Sequence, residues 1–120
     1  MIEGKTARTV HAPGMMIVPV PPDTRSVSGQ FGFPPGAYAG AQWTDGAEFL
    51  VYWFNGVNRT LLFKRTLRPH EEPSERGLQE YRLDLPSDPS GRGARLIFET
   101  APLATPNFDW TCWTKPAFSP

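Results

Sequence analysis

The chain alternates short apolar runs with breaks rich in proline, glycine and charge, and its clearest run lies near the middle. Residues 49–54 (FLVYWF) are apolar at every position. Asp45-Gly46 before this run and Asn55-Gly56 after it are dipeptides that favour turns with positive φ. Aromatic and β-branched residues dominate the run, which is too short for a typical buried helix. The pattern predicts a central strand, at 48–54, that is buried on both faces.

Seven further segments have the apolar patterns of strands. The most regular is 79–85, where apolar residues at 81, 83 and 85 alternate with charged residues at 80, 82 and 84. Strands spaced by about 10 residues, with turn signals between them, are typical of a sandwich or a barrel. With the central strand, the predicted strands are 9–11, 15–20, 27–33, 48–54, 60–67, 79–85, 95–100 and 109–114.

These patterns predict an all-β fold, an antiparallel two-sheet β-sandwich of about eight strands with little helix. Fourteen prolines punctuate the chain and disfavour helix. At 120 residues, positions 1–120 form one domain with its core at about 10–118. The side chains predicted to face the core are Phe49, Val51, Trp53, Leu61, Phe63, Tyr81, Leu83, Leu96, Phe98 and Trp110.

Charge and hydropathy narrow the choice of partners. The 12 basic residues balance the 12 acidic ones, whereas nucleic acids and anionic membranes require a basic face. No apolar run approaches the roughly 20 residues of a membrane span. The first residues, MIEGK, carry charge and lack the apolar core of a signal peptide. The sequence leaves the compartment open: the chain is either cytoplasmic or a mature or excised piece, such as an extracytoplasmic domain.

No catalytic motif stands out. The only cysteine, Cys112, lies between two tryptophans with no base nearby in sequence, which predicts a buried apolar residue. His70, Glu71 and Glu72 form a compact group with acid–base character, but they lie between two prolines in a polar loop that we expect to be solvated. We therefore predict that the domain is not an enzyme.

Several short motifs, taken in order, resemble the galactose-binding-like jelly rolls related to carbohydrate-binding modules of glycoside hydrolases. The resemblance spans roughly residues 10–118. It implies a jelly-roll sandwich of about eight or nine strands, often one structural calcium, and sugar binding at one end or on a concave face. It does not carry over sugar-binding residues, because those lie in variable loops. The motifs are 29–33 (GQFGF), 37–38 (AY), 44–49 (TDGAEF), 62–67 (LFKRTL), 76–79 (RGLQ), 83–86 (LDLP), 96–100 (LIFET), 109–110 (DW) and Trp113.

The loop before the central strand carries the candidate ligand-binding residues. Tyr38 and Trp43 lie in a segment rich in glycine, proline and alanine, and aromatic rings on loops can stack on a sugar. Gln42, Asp45 and Glu48 could fix the orientation of that sugar through hydrogen bonds. The alternative is that both rings fold back and cap the sandwich.

Asp45 is also the candidate metal ligand. Its carboxylate and the neighbouring carbonyl groups could bind the one structural calcium that the resemblance implies, although the segment lacks the dense acidic spacing of an EF-hand loop. The alternative is that Asp45 only opens the turn before the central strand.

Two functions from different classes remain. The first is a non-catalytic carbohydrate-binding module with weak affinity for sugar. The second is a scaffold or protein-interaction domain with the same fold and no sugar site. A small β-barrel enzyme or ligand-carrying barrel is disfavoured by the lack of a catalytic set. The partner is thus a carbohydrate or another protein, and the sequence leaves the oligomeric state open.

Overall fold

Two antiparallel sheets make up the fold of the computed structural model, which describes residues 7–11, 14–34, 43–86, 93–104 and 110–120. One sheet has the order β1-β8-β3-β6, with the short β9 also paired to β3; the other has the order β2-β7-β4-β5. The strands are β1 (Ala7–His11), β2 (Gly14–Pro19), β3 (Ser26–Phe33), β4 (Ala47–Phe54), β5 (Arg59–Leu67), β6 (Gly77–Asp84), β7 (Arg95–Pro102), β8 (Trp110–Thr114) and β9 (Ala117–Ser119).

The predicted β-sandwich is confirmed. Each of the eight predicted strands is present, with its ends displaced by no more than two residues. The strand that the sequence did not predict, β9, has three residues and pairs with the first part of β3. Within the described ranges, helix is limited to a 3-10 turn at Pro73–Glu75. The turn at Asn55 is also confirmed, because its Oδ1 accepts hydrogen bonds from the backbone N–H groups of Val57 and Asn58.

Aromatic rings fill the space between the sheets. Phe31 on β3 is fully buried, and its ring centroid lies 4.9 Å from that of Phe49 and 5.5 Å from that of Trp113. Tilted and edge-to-face ring pairs at these separations contribute about 0.5–1.5 kcal/mol beyond the burial of their area. The rings of this network are Phe31, Phe33, Phe49, Phe63, Tyr81, Phe98 and Trp113.

One core prediction was wrong. Leu61 is 48% exposed, because the register between β4 and β5 shifts at Val51 and Tyr52. Val51 faces Phe63, but Tyr52 faces Leu61, so an extra residue is inserted in β5 and the alternation of its faces reverses. Phe63 and Leu83 pack against the core while remaining half-buried, and the side chain of Trp110 lies outside the described residues.

The central strand is more buried on one face than on the other. On the inner face of β4, Phe49 and Val51 are fully buried, and Trp53 is nearly so. On the opposite face Leu50 is buried, but Tyr52 and Phe54 are only half-buried. The prediction of burial on both faces therefore holds for the inner face and only in part for the outer one.

Three polar side chains form a hydrogen-bonded group inside the core. Thr100 is fully buried, and its Oγ1 accepts hydrogen bonds from the Thr111 hydroxyl at 3.1 Å and from Trp113 Nε1 at 3.3 Å. Cys112 is fully buried as predicted, and its thiol donates to the Gly32 carbonyl at 3.4 Å. These contacts join β7, β8 and β3 across the two sheets.

Tyr81 covers a glycine on the neighbouring strand. Gly29 is its register partner, and a Cβ added there would lie 2.7 Å from the Tyr81 hydroxyl oxygen. That hydroxyl is buried and has no hydrogen-bond partner among the described residues. Burial also raises the pKa of the Tyr81 phenol far above its ordinary value. The ring thus fills the space that a side chain at position 29 would occupy.

We expect Tyr81→Phe to leave the free energy of unfolding at pH 7 unchanged or to raise it by up to about 1–3 kcal/mol, since it removes an unpaired buried hydroxyl. Folding holds the phenol neutral, whereas the unfolded chain ionises it above pH of about 10. The parent should therefore lose stability as pH rises above about 10, and the variant should lose less. Urea denaturation at pH 7 and at a pH above about 10 measures both effects. Tyr52→Phe, at a half-buried tyrosine, is the control. A loss above about 1 kcal/mol at pH 7 would show that the hydroxyl has a partner.

Candidate functional site

Three loops meet at one end of the sandwich, where β4 begins and β5 and β7 end. The register pairs Ala47 with both Leu67 and Pro102, so the segments before and after these residues lie side by side. We call this region, formed by residues 43–46, 68–76 and 103–104, the Trp43 end. It contains two of the residues predicted to bind a ligand, Trp43 and Asp45.

The turn that leads into β4 is fixed by a hydrogen bond to its own Thr44 side chain and by one to the loop after β7. The buried Thr44 accepts a hydrogen bond from Gly46 N at 3.0 Å through its Oγ1. Gly46 has φ of 111°, and a Cβ there would lie 2.5 Å from the Leu67 carbonyl oxygen. Asp45 Oδ2 accepts a hydrogen bond from Ala104 N at 2.9 Å. Glycine is therefore required at position 46, and Asp45 connects two loops of the Trp43 end.

Trp43 is the exposed aromatic residue of this end. Its side chain remains 46% exposed, and its ring lies parallel to that of His70, with 3.8 Å between the centroids and 6° between the planes. Two polarisable rings in this arrangement restrict each other's rotation. An exposed large apolar side chain that is held flat differs from the scattered exposed residues found on most surfaces.

The loop that carries His70 is held by Arg76 and Glu75. Arg76 donates from Nε to the Pro69 carbonyl at 2.6 Å and from a terminal guanidinium nitrogen to the His70 carbonyl at 3.0 Å. Glu75 accepts a hydrogen bond from Arg68 N at 2.8 Å. This loop was expected to be solvated. Glu71 and Glu72 are exposed, but His70 is half-buried. His70 is thus positioned to support Trp43.

The other predicted ligand-binding residues are distributed differently. Glu48 lies on β4, where its carboxylate forms an ion pair with Lys64 at 3.1 Å. Tyr38 and Gln42 lie outside the described residues. His70 was not predicted as a site residue, because its contact joins two loops that are distant in sequence.

The calcium prediction stays a prediction. Across the described residues, no group of three or more histidine, cysteine, aspartate and glutamate side chains could hold a metal ion. The Asp45 carboxylate already accepts a backbone hydrogen bond, which supports the turn interpretation of this residue.

A cavity of about 670 Å³ lies at the opposite end of the sandwich. Prolines form much of its wall, Asp23 and Arg25 lie at its polar side, and Trp53 contributes to the lining. Trp53 is only 6% exposed and belongs to the core, so it offers little ring surface to a ligand. The cavity is the alternative location for a ligand.

The chain shares its fold with part of a bacterial protein. Two solved structures of the CBM51-2 and INT domains of Clostridium perfringens ZmpB, one of them in complex with GlcNAc, match it with TM-scores of 0.65 and 0.64. The identity is 11%, and each match covers 98% of this chain and 28% of the ZmpB chain. At this identity the likeness shows the fold alone, an antiparallel β-sandwich.

No protein-family model and no curated protein sequence matches the chain. Among the described residues, there is also no helix with the length and apolar character needed to cross a bilayer.

Proposed function

We propose that this chain is a non-catalytic carbohydrate-binding module and that the sugar stacks on Trp43. The observation that carries the proposal is the parallel stack of the exposed Trp43 on His70. Because His70 covers one face of the indole, the opposite face is the one on which the apolar side of a pyranose would lie. The ring is oriented before the ligand arrives, which lowers the entropic cost of binding.

Polar groups beside the stack would bind the sugar hydroxyls. Arg68 passes close to Gly46, since its Cγ would lie 3.0 Å from a Cβ placed there. The Arg68 side chain is exposed and can donate hydrogen bonds. Asp45 is the predicted acceptor, and Tyr38 and Gln42 remain predicted members of the site. A few polar groups next to an aromatic surface are typical of sites that bind small ligands.

The carboxylates of the Trp43 end support a non-catalytic role. Glycoside hydrolysis requires two carboxyl groups that flank the scissile bond. Here Asp45 accepts a hydrogen bond from Ala104 N and Glu75 accepts one from Arg68 N, so both maintain the loops. The other two carboxylates of this end, Glu71 and Glu72, are exposed neighbours on one loop and do not flank the Trp43 ring from two sides. GlcNAc, which is bound in one of the ZmpB structures, is the first ligand to test.

Such a site should bind weakly. One stacked ring contributes about 1 kcal/mol on the scale of other aromatic contacts. With a few hydrogen bonds the total is about −4 kcal/mol, which corresponds to a Kd near 1 mM. Binding of this strength becomes useful when several modules act together or when the module is tethered to a larger protein.

The test is a titration of the ¹⁵N-labelled protein with GlcNAc, galactose and glucose, followed by the shifts of backbone and indole N–H signals. We expect saturable shifts at Trp43 with a Kd near about 1 mM. Trp43→Ala should weaken binding by about tenfold or more. Arg25→Ala, at the cavity on the opposite end, is the matched control and should bind as the parent does. Parallel titrations with calcium and with EDTA test the proposed structural calcium.

Each failure has a distinct meaning. Loss of binding in Arg25→Ala but not in Trp43→Ala would move the site to the opposite cavity. The absence of binding to any sugar, extended to a glycan array, would leave the scaffold or protein-interaction function. That alternative is favoured by three exposed apolar residues on the β2-β7-β4-β5 sheet, Met15, Ile17 and Leu61.

A further inference from the structure

The turn between β4 and β5 contains the dipeptide Asn55-Gly56, whose backbone nitrogen is open to solvent. Both residues are exposed, and apart from the chain neighbours of Gly56 no heavy atom lies within 4 Å of the position that a Cβ there would take. Gly56 has φ of 98°, a conformation that favours glycine. In the described part of the chain, the Gly56 N–H donates no hydrogen bond to another group of the protein. This nitrogen is therefore available to react.

The carbonyl group of the Asn55 side chain is held by two backbone donors. Its Oδ1 accepts hydrogen bonds from Val57 N at 2.9 Å and from Asn58 N at 2.8 Å. Two N–H groups on one carbonyl oxygen make its carbon more electrophilic and stabilise negative charge that develops on the oxygen. The turn thus places donors in the arrangement of an oxyanion hole at an amide that the available Gly56 nitrogen follows in sequence.

We propose that Asn55 is a site of spontaneous modification, at which the side-chain amide becomes a carboxylate through a cyclic imide. The Gly56 nitrogen loses its proton to hydroxide and bonds to Asn55 Cγ, while the electron pair of the carbonyl moves to Oδ1. The carbonyl then re-forms as the Cγ–Nδ2 bond breaks, and Nδ2 leaves as ammonia with a proton taken from water. Water next opens the imide, which gives aspartate when the new N–Cγ bond breaks and isoaspartate when the original peptide bond breaks. One water is consumed, one ammonia is released and nothing is oxidised.

The chain has one other dipeptide that could form such an imide, Asp45-Gly46, and the structure protects it. Gly46 is buried, and its N–H already donates to Thr44 Oγ1 at 3.0 Å. A Cβ on Gly46 would lie 2.5 Å from the Leu67 carbonyl oxygen, so there is little space in which the backbone could rearrange. The folded structure, and not the dipeptide alone, therefore selects Asn55.

The modification changes the charge of the molecule and the length of one turn. The 12 basic and 12 acidic residues balance, so one new carboxylate takes the net charge from zero to −1. Isoaspartate also adds a methylene group to the main chain in the turn that joins the register partners Phe54 and Arg59. This turn follows the end of β4, whereas the Trp43 end lies where β4 begins. Modification at Asn55 is thus independent of the proposed sugar site.

Incubation of the folded protein in mildly alkaline buffer, followed by ion exchange and by peptide mapping with mass spectrometry, tests the proposal. We expect a more acidic species to accumulate over days, with the change located at Asn55 and with Asn58 unchanged. Asn55→Ser keeps an oxygen acceptor in the turn but lacks the carbonyl carbon, so it should abolish this species. Gly56→Ala should slow the conversion by about tenfold or more, because its methyl group shields the nitrogen. Enzymatic methylation of isoaspartyl carboxylates identifies the isoaspartate product.

The decisive comparison is between the folded parent and the parent unfolded in guanidinium chloride. Asn55 should react at least as fast in the folded protein as in the unfolded chain, whereas Asp45 should form isoaspartate only in the unfolded chain. The proposal is overturned if folding protects Asn55, if Asp45 reacts equally in both states, or if the acidic species persists in Asn55→Ser. Urea midpoints show whether the two variants are folded, and the comparison of the two states of the parent requires no variant.

Discussion

Phe31→Ala is expected to lower the free energy of unfolding by about 3–5 kcal/mol, the cost of truncating a large buried ring. Phe31 is fully buried, with other side chains packed around its ring. Its ring contacts those of Phe49 and Trp113, as well as those of Phe63 and Tyr81. Removal leaves a cavity between two rigid sheets, which close only partly around it. A small domain with a total stability of about 5–15 kcal/mol would lose a large fraction of it.

Urea denaturation followed by tryptophan fluorescence measures this loss. Leu61→Ala is the matched control, because Leu61 was predicted in the core but is 48% exposed. It should change the stability by no more than about 0.5 kcal/mol. A cost for Leu61→Ala as large as that for Phe31→Ala would contradict the register shift between β4 and β5.

Thr100→Val should have the second largest effect on stability. Leaving the buried indole N–H of Trp113 without an acceptor should by itself lower the free energy of unfolding by about 1–3 kcal/mol. Valine has nearly the shape of threonine, so packing is preserved while the acceptor is removed. Trp113 is fully buried, and the Thr100 hydroxyl lies 3.3 Å from its Nε1. The Thr111 hydroxyl would lose the same acceptor, which adds to the cost.

Thr100→Ser separates the hydrogen bonds from the packing. Serine keeps the hydroxyl and deletes one methyl group, which costs about 1 kcal/mol through lost burial. If the polar group stabilises the core, Thr100→Val should be the less stable of the two variants. Equal stability in urea would mean that the hydrogen bonds contribute little beyond the shape of the side chain.

The sequence predicts the fold well where only one assignment of apolar residues to the inner face is possible. Over residues 80–85, apolar and charged residues alternate without exception, and Tyr81 is buried as predicted. In β5, Leu61, Leu62 and Phe63 are all apolar, so two phases satisfy the pattern equally. The choice between them is made by the bulge opposite Tyr52, which is a tertiary feature.

The candidate site was predictable only within a single loop. The dipeptide Asp45-Gly46 indicates a turn, and the structure confirms one with Gly46 at φ of 111°. The stack of Trp43 on His70 depends on how two loops meet at the end of the sandwich, and local patterns do not encode such a meeting. For the same reason, the sequence suggested Glu48 as a ligand but could not indicate its ion pair with Lys64.

The single thiol of Cys112 gives the domain an internal reporter of its own opening. Its side chain is fully buried, so a reagent such as a chromogenic aromatic disulfide can reach it only in molecules that have opened. The rate of labelling in native buffer would follow the population of those molecules without added denaturant. The same reaction would reveal whether a bound sugar keeps the domain closed for longer.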